Sequence, residues 1–291
     1  MNINTEPAID GRPVPWALAS LDALATRIET HGASGRVVWR AWGSGPALVL
    51  LHGGAGSWRH WLHNIALLAL RYRVIVPDLP GMGCSDAPVE ATPQAEARML
   101  AEGLPEVLEG RADFDLVGFS FGGLISGHLA AAVMSQVRSY TIVGTGSWEG
   151  LPRHNIVLVP VRHLSIAEQW PAHHTNLSRM MIADVARIDD TALWIQAWNS
   201  QHARLDSRKF YRQGPLSSVI PNLSMPINAI WGSEDATTGK DIDAREKLLR
   251  SLCPGLQFCR IEGAGHWVAY ERPEAFNAVL LELLAPTYPA V

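Results

Sequence analysis

Cysteine is scarce in this chain: Cys84, Cys253 and Cys259 are three residues in 291. An odd number without metal-ligand spacing excludes a disulfide-stapled scaffold and favours small, buried, reduced thiols, as in a cytoplasm. Long apolar runs are absent too. None reaches the ~18 residues that a transmembrane helix needs, and residues 1–11 are polar and acidic, unlike the basic start and apolar core of a signal peptide. Neither sign of charge dominates: 24 Lys and Arg stand against 28 Asp and Glu, a formal net charge of −4 with no basic block. That excludes attraction to nucleic acid or to an anionic membrane surface. The eleven histidines include no H-x₃-H or H-E-x-x-H pattern, and His173 and His174 are adjacent, so neither a metal nor another cofactor is expected.

What is present reads as an ordinary globular chain, 47% hydrophobic and 18% charged, long enough to bury one large domain. Apolar strand-like runs at residues 36–42, 47–51, 73–77, 114–117, 139–143, 227–231 and 256–261 alternate with helix-like stretches at 92–108, 121–135 and 273–284. Thr92-Pro93 reads as a cap with proline at the first helical position. Buried strands alternating with helices predict an α/β fold, a mostly parallel sheet covered on both faces. The alternation stops between residues 148 and 222, where helical spacing such as Leu193, Trp194, Ala197 and Trp198 predicts an inserted lid. The domain reading is therefore a core at 36–147 and 223–291, a helical cap at 148–222, and an N-terminal extension at 1–35. That extension, helix-like at 16–28, packs either on the domain or on a partner subunit of a homodimer.

The chemistry begins at Gly118-Phe119-Ser120-Phe121-Gly122, a serine where an apolar strand runs into a helix. A hydroxyl is a weak nucleophile unless it is exposed beside a base. A sharp strand-to-helix turn exposes it, and the helix start aims backbone N–H groups at the space where negative charge develops in acyl transfer. A base and its orienting acid follow in the chain order expected for this elbow. Asp235 lies just past the strand at 227–231, with Glu234 beside it as the alternative acid, and His266 lies just past the last strand. Strand C-termini converge on one edge of a parallel sheet, so the three loops can meet there. After the strand ending at Leu51, His52-Gly53-Gly54-Ala55-Gly56 supplies a loop able to approach a ligand closely. The oxyanion hole is expected from the N–H groups of Phe121 and Gly54, with Ala55 as the alternative to Gly54 and His52 as a brace.

These pieces together resemble the α/β-hydrolase superfamily: His52-Gly53-Gly54, the segment from Asp78 to Asp86, Gly118-Phe119-Ser120-Phe121-Gly122-Gly123, Trp231-Gly232-Ser233-Glu234-Asp235 and Gly265-His266-Trp267. The resemblance implies an eight-stranded sheet with a helical cap, Ser120 as nucleophile, His266 as base, Asp235 as its orienter, and a structural role for residues 78–86. Serine at 120 argues against the members that use a carboxylate nucleophile, the haloalkane dehalogenases and epoxide hydrolases. Within the serine members the chain looks like the meta-cleavage-product hydrolases, which cut a carbon–carbon bond, and like related esterases. It departs from them in carrying Phe119 where asparagine usually precedes the nucleophile, and Gly54-Ala55-Gly56 where Gly-Pro-Gly is usual.

By that resemblance a cap arginine holds the substrate carboxylate, with Arg179 and Arg204 as candidates, and Ala55, Phe119 and Trp267 are expected to line the pocket. Phe119 makes that corner apolar. The expected activity is hydrolysis of an ester or carbon–carbon bond in a small, largely apolar carbonyl compound. The alternatives are a small-molecule receptor or regulator on the same scaffold with little turnover, and an acyltransferase or perhydrolase using the same triad.

Overall fold

The computed structural model describes residues 8–151, 154–211, 213–239 and 241–285. Eight strands form one sheet: β1 (Thr26–Gly32), β2 (Gly35–Trp42), β3 (Ala47–Leu51), β4 (Arg73–Pro77), β5 (Phe114–Phe119), β6 (Val137–Val143), β7 (Ile227–Gly232) and β8 (Gln257–Ile261), in the order β1-β2-β4-β3-β5-β6-β7-β8. Only the β1–β2 and β2–β4 pairs are antiparallel. From β4 through β3 to β8 every pair is parallel, so these strands end on the same edge.

Burial on both faces is visible residue by residue. Leu48, Leu50, Val74, Val76 and Val117 join one apolar cluster, while Val49, Leu51, Ile75 and Leu116 join the other. Successive side chains of a strand point to opposite faces, so a run of Leu and Val feeds both layers at once. Each such fully buried side chain contributes roughly 1.5–3 kcal/mol. Among the helices, α1 (Trp16–Ala23), α2 (Leu62–Leu68), α3 (Pro93–Leu108) and α4 (Phe121–Ala132) precede β6 in the chain. Thr92 caps α3, its hydroxyl accepting the Ala95 N–H at 3.2 Å ahead of Pro93. Three helices, α5 (Ile166–Asn176), α6 (Asp190–His202) and α7 (Leu216–Val219), are inserted between β6 and β7. The chain then finishes with α8 (Ile242–Leu252), α9 (Val268–Glu271) and α10 (Pro273–Leu284).

The N-terminal region departs from the expectation. The helix read over residues 16–28 ends at Ala23, and residues 26–32 are a strand of the sheet rather than part of an extension ending at 35. The cause is local and tertiary together. Gly32-Ala33-Ser34-Gly35 is a two-residue hairpin turn, with Gly35 at φ +132°. The turn is tied to α3, where Ser34 Oγ donates to Glu102 at 2.8 Å, and the strand is tied to β2, where Trp39 Nε1 donates to Thr30 Oγ1 at 2.9 Å. Other boundaries also move: β5 runs on to Phe119, next to the serine, β6 starts at Val137 instead of 139, and α4 stops at Ala132 instead of 135.

Candidate active site

Ser120 occupies the turn between β5 and α4 with φ 52° and ψ −115°, a region that side-chain-bearing residues rarely adopt. Three bonds hold it there. Its N–H donates to Val143 O at 2.8 Å, and its carbonyl accepts from Gly123 N–H and from Thr145 Oγ1, both at 3.0 Å. The sequence permits this turn because Gly122 has no side chain: a Cβ there would lie 2.5 Å from Leu51 O, on the neighbouring β3.

The three expected side chains come together. His266 Nε2 lies 2.9 Å from Ser120 Oγ, and His266 Nδ1 lies 2.9 Å from Asp235 Oδ2. A carboxylate at Nδ1 holds the ring proton on that nitrogen and leaves Nε2 to accept from the serine hydroxyl. Asp235 is buried, and its other oxygen accepts the Thr237 N–H at 2.8 Å and the Thr237 hydroxyl at 2.7 Å. Glu234, the alternative acid, is exposed. Thr237 carries no motif that would have marked it.

The glycine loop after β3 packs against this group. An ideal Cβ on Gly53 would lie 3.4 Å from Ser120 Cβ, and one on Gly54 would lie 3.4 Å from Phe121 Cβ. Ala55 sits at φ 45°, a left-handed position without a glycine. His52 braces the loop as expected, its Nδ1–H donating to Gly53 O at 2.8 Å while Nε2 accepts the Leu79 N–H at 2.9 Å. Burial drives its pKa down to about 4, which keeps both roles intact in the neutral ring. A second brace, His60, has no sequence signal: its Nδ1 accepts the Gly53 N–H at 3.2 Å. Burial, then the nearby His52 and His266, hold its pKa well below the ordinary histidine value.

The expected pocket residues divide. Ala55 stays partly open beside Gly54. Phe119 is 1% exposed, its ring 5.0 Å from that of His266 and 5.7 Å from that of His60, so it packs against both imidazoles. Trp267 is fully buried, with its indole N–H on His60 O at 2.9 Å and its ring 4.2 Å from Tyr270. It too braces the site. Both arginine candidates donate to backbone carbonyls. Arg179 is exposed and donates to Val157 O at 2.9 Å. Arg204 donates to the carbonyls of Gly83, at 3.0 Å, and Ser85, tying the helical insertion to the loop after β4. A long side chain meets whichever carbonyls its segment passes over, and local sequence does not specify them.

A further tie passes through Glu271 at the end of α9. Its buried carboxyl group accepts the N–H groups of Ala183 (3.1 Å), Asp184 (2.7 Å) and Gly265 (2.7 Å). Trp267 N–H donates to Met181 O at 2.7 Å alongside them. The loop carrying His266 is thereby stitched to the insertion.

Comparison with known proteins agrees with this architecture. Residues 48–279 match the sequence model described as the Alpha/beta hydrolase family. The 2-hydroxy-6-oxononadienedioate/2-hydroxy-6-oxononatrienedioate hydrolase of Burkholderia vietnamiensis is 28% identical over 275 residues, covering 87% of this chain and 92% of that protein. The pimeloyl-acyl-carrier-protein methyl ester esterase of Aeromonas hydrophila is 26% identical over 264 residues, covering 82% and 95%. Among solved structures, a thermophilic esterase from Thermogutta terrifontis superposes with a TM-score of 0.73 at 21% identity, covering 91% of this chain and all of that one.

Proposed function

Because the chain belongs to the alpha/beta hydrolase family, we propose that it is a serine hydrolase of small, uncharged carboxylic esters. The observation that carries the reading is the pair of 2.9 Å contacts linking Ser120 Oγ to His266 and His266 to Asp235. In this reading His266 Nε2 takes the hydroxyl proton as Ser120 Oγ attacks the ester carbonyl, and Asp235 stabilises the imidazolium that forms. The carbonyl oxygen, now negative, is received by the N–H groups of Phe121, at the first turn of α4, and of Gly54. Collapse of this tetrahedral species expels the alcohol, which takes the proton from His266. Water then repeats the sequence on the acyl-serine, with His266 as its base, and releases the acid. The helical insertion at residues 148–222 serves as the cap.

An uncharged substrate is supported by Arg179 and Arg204, the two cap arginines suited to a substrate carboxylate, which donate to backbone carbonyls. The likeness to the dienedioate hydrolase of Burkholderia vietnamiensis favours carbon–carbon cleavage as a second reading. One panel separates the two: p-nitrophenyl acetate and butyrate beside a meta-cleavage dienoate, each with wild type and Ser120→Ala. Repeated turnover of the esters, slow reaction with the dienoate and loss of several orders of magnitude in Ser120→Ala are expected. Preference for the dienoate would replace the ester reading, a single burst without turnover would favour a receptor, and products trapped by added alcohol or peroxide would favour acyl transfer.

A further inference from the structure

After α6, residues 203–211 and 213–215 form a strap fastened on both sides of the oxyanion loops. On one side Arg204 N–H donates to Gly81 O at 2.8 Å, its guanidinium donates to Gly83 O and Ser85 O, and Leu205 packs on Gly81. On the other side the rings of Phe210 and Tyr211 lie 5.3 and 6.4 Å from that of Phe121, Ser147 Oγ donates to Tyr211 O at 3.1 Å, and Gly214 O pairs with His128 Nε2 at 2.8 Å. Ser207 lies between these anchors. A Cβ placed on Gly54 would overlap Ser207 Oγ and stand 2.9 Å from Ser207 Cβ, so this side chain occupies the space directly over Gly54.

A serine at the start of a helical turn ordinarily serves as its cap. Here that job is taken. Asp206 is the N-cap of the turn at Ser207–Lys209, accepting the Arg208 N–H at 3.2 Å and pairing with the Arg208 guanidinium at 2.8 and 3.0 Å. The Ser207 carbonyl accepts the Phe210 N–H at 3.2 Å, while among the described residues its hydroxyl makes no hydrogen bond. The turn holds its shape without the hydroxyl, which is left beside the loop that faces the nucleophile.

We propose that Ser207 is a substrate-contacting residue delivered by the cap, a third donor to the oxygen held by Gly54 and Phe121. This rests on the serine-hydrolase reading. The hydroxyl keeps its proton throughout and donates a hydrogen bond that strengthens as the carbonyl oxygen becomes an oxyanion. A donor to a charged oxygen is about twice as strong as one to a neutral carbonyl, so its effect falls on the transition state more than on the bound ester. The oxyanion site is then complete only when the strap is seated on Gly81 and Phe121, which makes cap position part of the catalytic geometry.

The test uses wild type, Ser207→Ala, Ser207→Cys and Ser120→Ala, with p-nitrophenyl butyrate as substrate and phenylboronic acid as inhibitor, which becomes a tetrahedral anion mimicking the intermediate when Ser120 Oγ adds to its boron and His266 takes the proton. Ser207→Ala is expected to lower kcat by about 10- to 100-fold with KM within roughly twofold, and to weaken boronate inhibition by a similar factor. Ser207→Cys, a weaker donor of similar size, falls between it and wild type. A Ser207→Ala enzyme within twofold of wild-type kcat overturns the proposal. So does one that loses rate while binding the boronate as before, since that pattern marks a merely structural side chain. Full activity in Ser120→Ala removes the underlying serine reading, whereas an inactive Ser120→Ala beside an unaffected Ser207→Ala removes only the role of Ser207.

Discussion

Ser120 shows what a single residue stores for function. Its φ of 52° and ψ of −115° carry a conformational cost of roughly 1–3 kcal/mol for any side-chain-bearing residue, held in place by the surrounding hydrogen bonds. Glycine adopts that region freely but gives up about 0.5–1 kcal/mol of extra chain entropy on folding. Ser120→Gly should therefore melt higher than Ser120→Ala, by up to about 4 °C, with both inactive. Scanning calorimetry of the pair checks it, and a lower melting point for the glycine variant would mean the turn is unstrained. That Ser120, His266 and Asp235 come together was legible from residue type and spacing, because each sits at a loop whose glycines and position mark it. His60, Thr237 and Glu271 were not. Nothing local distinguishes such a histidine, threonine or glutamate from a packed or solvated one, whether its partner is near, as for His60 on Gly53 and Thr237 on Asp235, or far, as for Glu271 on Ala183. Arg204, a candidate for substrate contact, holds two loops together by the same rule.

Among the elements, α9 shows how four residues can join two parts of the molecule. Glu271, at its end, receives three backbone N–H groups, two from the insertion and one from the residue before His266. Glutamine keeps the size but offers one acceptor oxygen and turns an NH₂ group towards donors. Buried N–H groups left unmatched cost about 1–3 kcal/mol each. Glu271→Gln is expected to lose at least about 2 kcal/mol of stability and to lower kcat, because the loop that aims His266 loosens with the cap. Urea unfolding together with steady-state rates tests both halves, and full activity at reduced stability would make the tie structural only. Strand β1 was misread for a comparable reason. Its exposed outer face weakens the alternation, and the pairing with β2, visible only in the Gly32-to-Gly35 turn, decides strand over helix.

At the scale of the whole molecule, burial keeps several histidines neutral. His52 falls to about 4, His60 lies well below the ordinary value, and His63, His128 and His173 are also lowered, each chiefly by burial. The unfolded chain protonates these rings near pH 6.5, whereas the fold refuses the proton until lower pH. Their contribution is therefore fully present above pH 6.5 and drains away as pH falls towards 4. Glu96, buried without a hydrogen-bond partner and raised well above its usual range, works in the opposite direction. In a Glu96→Gln variant, where the opposing carboxyl group is gone, the melting temperature should drop between pH 7.5 and pH 5. A flat profile from calorimetry at those two values would contradict the burial argument.

Sequence alone determined the alternating α/β layers, the inserted helices and which serine, histidine and aspartate meet at one edge of the sheet. Periodicity, glycine-marked turns and chain order are local properties, and parallel strands bring their ends to one edge whatever covers them. Tertiary structure decided how the insertion is fastened, which histidine braces which loop, and which side chain of the insertion stands over Gly54. The ties of the insertion join residues 88 and 121 positions apart, where geometry and exclusion of water, rather than residue type, select the partner.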